Sequence, residues 1–327
     1  MTKLTVVRQS NAAFAADRPQ SSGLVCVFTG ATSGIGASTL EVIASMLHDS
    51  TIYVLGRSAA KFAGQRERIA ALSPSCRLEF IECDVSLLSH VDTACKQISP
   101  EKIDLLYMSQ GLVPLNGAEY TSEGLEICFA LSYYSRIRLL TNLLPLLRKS
   151  PRPRVLSVLN GGKEKAILEE DLGLENEGNW STTAVVNHTT TSMSLALDYL
   201  AEDPGNKNLT LMHAFPGLVR TDIFAKLRAP PSSSIFWRIG LALIRNVVGF
   251  LMMVQGISPH ESGERHAYHL TSQAWTRGTG MHLINESSEE VPGNATLQGY
   301  REGGLAKKIW EHTMRVFEKA LGRNLSS

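Results

Sequence analysis

The stretch Val25-Cys26-Val27-Phe28-Thr29-Gly30-Ala31-Thr32-Ser33-Gly34-Ile35-Gly36 decides how this chain folds. Residues 24–28 form a short apolar run with the branched residues of a strand buried on both faces. Three glycines follow, and residues 37–47 then carry apolar side chains at helical spacing. A strand, a glycine turn and a helix in that order leave free backbone N–H groups at a helix N-terminus, a cradle for pyrophosphate. A second strand at 51–55 completes a βαβ unit. An isolated glycine triplet is equally compatible with an ordinary tight turn; the flanking strands and helix favour a dinucleotide site.

Outward from this unit, strand and helix alternate. Strands are expected at 77–82 (leading to Asp84), 105–109 (leading to Gly111), 154–159, 209–215 and 280–285. Helices are expected at 124–148, where Pro145 should kink or end the run, and at 181–201, 261–272 and 305–321. Most strands are apolar on both faces, so the pattern predicts an α/β fold with a doubly wound parallel sheet of Rossmann type. No repeat and no Gly/Ser/Pro-rich linker divides the 327 residues, which read as a single domain. Residues 1–22 read as an arm over the core, 222–275 as a helical substrate lid and 305–327 as a C-terminal helix.

Bulk composition excludes several classes. The 32 basic and 31 acidic residues give a net charge of +1 without long runs of either sign, so no nucleic-acid surface is expected. Five cysteines (Cys26, Cys76, Cys83, Cys95, Cys128) contain no Cys-x-x-Cys pair. They read as reduced thiols with no metal site. Residues 1–20 lack the apolar core of a signal peptide, and a cytoplasmic location is expected. Residues 234–254 are almost continuously apolar but contain Arg238 and Arg245, seven apart on one helix face. Burying both in lipid would cost a few kcal/mol each, which argues against spanning. A lid over a hydrophobic substrate is the favoured reading, with an interfacial membrane helix as the alternative.

Four segments in order resemble the short-chain dehydrogenase/reductase family: 29–36 at the nucleotide turn, Asp84-Val85, Gly111 after the fourth strand, and Pro216-Gly217-Leu218-Val219-Arg220-Thr221. The resemblance runs from about residue 25 to 221, and more weakly to about 285. It implies cofactor contacts at Gly30, Thr32, Ser33, Gly34, Ile35 and Gly36, at Asp84 and Val85 near the adenine, at Gly111, and at Pro216, Gly217, Val219 and Thr221 around the nicotinamide. Relatives selective for NAD carry an acidic residue after the second strand to hold the ribose 2′-OH. This chain has Gly56-Arg57-Ser58 there. A planar guanidinium with hydroxyls from Ser33 and Ser58 suits a 2′-phosphate, and the expected cofactor is NADP(H).

The resemblance fails at the catalytic pair. The family uses Tyr-x-x-x-Lys and a serine, yet none of the eight tyrosines here has a lysine four residues later. Counting back from Pro216-Gly217 puts Val186 and Thr190 at the tyrosine and lysine positions, Asn160 at the serine position and Ser132 at the usual asparagine. His188 is the candidate replacement proton donor, with Asn160 to polarise a carbonyl and Thr190 to bind a ribose hydroxyl. Lys163 and Glu164 are next. Each also has a purely structural reading, and His213 reads as a core histidine. The chain resembles divergent short-chain reductases of fungal specialised-metabolite pathways. That implies an NADP(H)-dependent oxidoreductase acting on a hydrophobic carbonyl or alcohol, in which homo-oligomers are common. The alternative is a non-redox isomerase, cyclase or binding partner that keeps the fold.

Overall fold

The computed structural model describes residues 2–221, 234–276 and 280–322; the expectations for 222–233 and 323–327 lie outside them. In chain order the elements are α1 (Leu4–Ala16), α2 (Arg18–Ser21), β1 (Val25–Thr29), α3 (Gly34–Met46), β2 (Thr51–Gly56), α4 (Ala59–Leu72), β3 (Arg77–Glu82), α5 (Leu88–Gln97), β4 (Leu105–Met108) and α6 (Ile127–Phe129). A π-helical turn (Ala130–Tyr134) joins α6 to α7 (Ser135–Leu147). There follow β5 (Arg154–Val158), α8 (Thr182–Glu202), β6 (Thr210–Ala214), α9 (Ile235–Gln255), α10 (Pro259–Thr271), β7 (Gly280–Ile284), β8 (Glu290–Val291), α11 (Ala295–Glu302) and α12 (Leu305–Leu321).

Eight strands form one sheet in the order β3-β2-β1-β4-β5-β6-β7-β8, and only β8 runs antiparallel to its neighbour. Alternation along each strand sends successive side chains to opposite faces. Val27, Leu106, Val155 and Leu211 pack against α5, α7, α8 and α12 on one side. Cys26, Phe28, Tyr107, Leu156 and Met212 pack against α1, α3, α4 and α10 on the other. This double winding places the carboxyl ends of β1 and β4 side by side, and a ligand crevice opens where the strand order reverses.

Three segments differ from the sequence expectation. The arm is itself helical: Val7 of α1 is buried, and Asn11 donates to the Glu264 carbonyl of α10 at 2.9 Å. The run 124–148 is not one helix, because an extra residue enters its second turn to make the π segment. Pro145 does not end α7, which continues for two more residues to Leu147. Helix α10 belongs to the core layer against α3 and α1, not to a cover over the site. The C-terminal region is helical, as expected.

Candidate active site

A cavity of about 800 Å³ lies at the carboxyl ends of β1, β4 and β5. Its floor at one end is the glycine turn. Gly30 has φ +70°, and a Cβ there would land on the backbone of Gln110; a Cβ on Gly36 would collide with the Gly30 carbonyl. Glycine is therefore required for β1, β4 and α3 to close together, and the N-terminus of α3 faces the cavity. Gly30, Thr32, Ser33, Gly34, Ile35 and Gly36 all line it. Arg57, Asp84, Val85, Gly111, Pro216 and Thr221 line it too. Asp84 is held by hydrogen bonds from the Ser86 N–H (3.0 Å) and hydroxyl (2.7 Å). The cradle and the donor set fit a dinucleotide.

Three expected contacts lie behind this wall. The Ser58 hydroxyl caps α4, accepting from the Lys61 N–H at 3.3 Å. Gly217 adopts φ +70° against Glu286. Val219 is buried and its backbone pairs with Ile257. Gly217 and Val219 shape the turn that presents Pro216, Arg220 and Thr221 to the cavity, while Ser58, Gly217 and Val219 themselves do not line it. Arg57, Arg136 and Arg220 outnumber Asp84 among the charged lining residues.

At the other end Asn160 and Val186 line the cavity, while His188 and Thr190 do not. His188 is buried, and both ring nitrogens are spent on the segment between β5 and α8. Nε2 accepts from the Leu168 N–H at 3.0 Å, so Nδ1 carries the proton and donates to the Leu172 carbonyl at 3.2 Å. Burial holds its pKa below the usual histidine value. The structure makes His188 a fastener of that segment and does not bring it to the cavity as a proton donor. Thr190 is buried beneath Asn160, whose amide donates to the Thr190 Oγ1 at 3.2 Å. Thr190 thus positions Asn160.

Lys163 and Glu164 also point elsewhere. Lys163 is exposed, with its ammonium 5.1 Å above the Phe215 ring. Glu164 is fully buried in a chain of neutral donors. The Asn160 N–H donates to His213 Nε2 (3.3 Å), His213 Nδ1 donates to the Ser194 hydroxyl (2.8 Å), and that hydroxyl donates to Glu164 (2.6 Å). Burial lowers the His213 pKa to about 3 and keeps the ring neutral. His213 is a satisfied core histidine, as its place on β6 predicts.

Sequence reasoning missed Arg136. It is among the largest fully buried side chains, and it lines the cavity next to Gly111 and Ser132. Nη1 donates to Ser157 Oγ (2.8 Å) and to the carbonyls of Val158 (2.9 Å) and Met108 (3.3 Å). Nη2 donates to the Gln110 carbonyl and Nε to that of Leu131 at 3.3 Å. Desolvation lowers its pKa to about 9, so it stays cationic at neutral pH, and none of these partners is a carboxylate. Among the described residues the cavity lining contains no histidine, tyrosine or lysine. Burial raises its two thiols, Cys83 and Cys128, to about 12.

The short chain dehydrogenase family matches residues 24–165. The oxidoreductase AN1596 of Emericella nidulans is 33% identical to this chain, over 99% of it and 100% of that relative. The oxidoreductase lepF of Aspergillus flavus is 34% identical over 91% of this chain and 92% of its own. The short-chain dehydrogenase/reductase SAT2 of Stachybotrys chartarum is 28% identical over 99% of each. Among solved structures, levodione reductase superposes with a TM-score of 0.58 at 14% identity, covering 79% of this chain and 94% of its own. An uncharacterised protein of Mycobacterium paratuberculosis reaches a TM-score of 0.65 at 19% identity, covering 92% and 96%. A glycine cradle at the switch point of a doubly wound sheet defines a dinucleotide-binding class, and these full-length oxidoreductase relatives set the family within it. The chain belongs to the short-chain dehydrogenase/reductase family.

Proposed function

We propose that this protein is an NADP(H)-dependent oxidoreductase that acts on a hydrophobic carbonyl, alcohol or iminium without a side-chain proton donor. The observation that carries the cofactor choice is Arg57, exposed at the cavity edge after β2. There a family member selective for NAD would place a carboxylate. Ser33, exposed on the glycine turn, adds a hydroxyl on the same wall. Such a pair recognises a ribose phosphate by charge-assisted hydrogen bonds.

When bound, the reduced nucleotide supplies a hydride, and the protein's residues set what receives it. The Asn160 amide, held by Thr190, is a donor for a substrate oxygen. Arg136 supplies fixed positive potential beneath Gly111, stabilising negative charge that develops on that oxygen. Apolar lining from Leu112, Val113, Ile127, Leu131 and Val186 excludes water and selects a hydrophobic substrate. Among the described lining residues there is no histidine, tyrosine or lysine to act as the acid, so the oxygen takes its proton from solvent as the product leaves the cavity, and an iminium carbon needs none. The fungal oxidoreductases among its relatives support a role in specialised-metabolite biosynthesis. Five free cysteines are in keeping with a reducing cytoplasmic setting.

Titrating the protein with NADPH and NADH while following cofactor fluorescence tests this reading. NADPH should bind more tightly, and Arg57→Ala should weaken it by about 10- to 100-fold while leaving NADH nearly unchanged. Failure of both nucleotides to bind would exclude redox chemistry. A bound nucleotide with a product of the same mass as its substrate would point to an isomerase or cyclase. A product differing by the mass of two hydrogens supports the oxidoreductase.

A further inference from the structure

Helix α9 takes no part in the site: none of its residues lines the cavity. Of its 21 residues only Leu241 and Met252 are buried. At about 3.6 residues per turn, Phe236, Ile239, Leu243, Val247, Phe250 and Val254 share one face. That face is open to solvent, with Phe236 84%, Leu243 63% and Phe250 60% exposed. Exposed Ile235, Ile244, Leu251 and Met253 widen the apolar arc to about half of the circumference. Arg238 and Arg245 lie on the other side, beside the buried pair, and the helix contains no acidic residue.

We propose that α9 lies in the plane of an anionic lipid surface, with its apolar arc among the acyl chains and both arginines at headgroup level. Three features select this occupant. An arc this wide fits a fluid slab, whereas pairing with a second copy calls for a narrow seam with polar residues to fix its register. Two cations that have no carboxylate partner among the described residues match anionic headgroups. Trp237 sits at the first turn, where its amphipathic ring suits the interface. The helix is long enough to span, but Arg245 is its middle residue and would lie in the hydrocarbon centre.

The placement matters to the site. The Arg220 N–H donates to the Ile257 carbonyl and the Ile257 N–H to the Leu218 carbonyl, each at 3.0 Å. These bonds join the segment just after α9 to the turn after β6 that bears cavity residues Pro216, Arg220 and Thr221. A docked α9 therefore holds the cavity wall at the surface where a poorly soluble substrate partitions.

Flotation of the full chain with vesicles tests the proposal, using phosphatidylcholine alone and with added phosphatidylserine. The protein should float with the anionic vesicles. Leu243→Glu combined with Phe250→Glu should cut binding by about tenfold or more, with an unchanged melting temperature because both side chains are exposed. Arg238→Glu combined with Arg245→Glu should abolish the preference for phosphatidylserine. Absence of flotation with either vesicle overturns the proposal. So does resistance to alkaline carbonate extraction, which would mean spanning. A dimer that the Leu243/Phe250 variant dissociates, without vesicle binding, would mean that a second copy covers the helix.

Discussion

The Arg136 guanidinium donates to carbonyls at the ends of β4 and β5 and to the π-helical turn, so three pieces of the cavity floor meet on one side chain. Burying a cation without a carboxylate is costly, and only multiple hydrogen bonds make it tolerable. Removing it reverses the balance, because the carbonyls it served remain buried. Arg136→Met should therefore lower unfolding stability by about 3–5 kcal/mol, read as a drop in the urea midpoint. Arg136→Lys keeps the charge but offers a compact ammonium in place of a planar fork, so it should recover only part of that loss. This residue was not legible in the sequence. An arginine within an apolar helical run reads as one solvated position, and nothing local records that the helix turns it inward. His188 failed for a similar reason, since its backbone partners Leu168 and Leu172 come from an irregular segment that has no periodicity to read.

At the scale of elements, legibility followed burial on both faces. The inner strands β4, β5 and β6 are buried along their whole length, and β6 falls within a residue of its sequence-predicted bounds; the edge strand β3, largely half-exposed and carrying Arg77, Glu79 and Glu82, also keeps its expected bounds. The π-helical turn was hidden because one extra residue leaves apolar content unchanged on either side of it. Helix α1 was hidden by its small and polar composition, yet it covers α10. Val7 fills that contact, Asn11 donates to the Glu264 carbonyl, and Arg8 meets the Glu264 carboxylate at 2.8 Å from a mostly exposed position. The exposed ion pair adds little. Joint substitution Val7→Ala and Asn11→Ala should cost about 2–4 kcal/mol, measured by thermal unfolding. Nucleotide affinity should not change, since α1 does not reach the cavity. A loss of affinity in that variant would mean that α10, which contributes Pro259 to the lining, transmits the disturbance.

Across the whole molecule, the two-layer core confines titratable rings that the unfolded chain leaves in water. Burial lowers His213 and His266 to about 3 and holds His269 well below the usual histidine value; all three are neutral in the folded state at ordinary pH. Below the usual histidine pKa of about 6.5 the unfolded chain gains protons that the folded chain refuses. Stability is thus complete above that value and declines as the pH falls towards 3, each ring contributing at most about 1.4 kcal/mol per pH unit. Three rings together account for several kcal/mol by pH 5, a large share of the 5–15 kcal/mol that typically holds a domain together. His269 isolates the effect, because it packs against the Tyr268 and Trp275 rings and neither of its nitrogens has a hydrogen-bond partner among the described residues. His269→Leu should leave stability at pH 8 equal or higher, and should flatten the decline between pH 6.5 and 5 by up to about 1.4 kcal/mol per unit. Denaturant unfolding across that range checks it. A wild-type stability level from pH 7 to 5 would show that these rings take up protons without unfolding, and that the layer formed by α3 and α10 admits water.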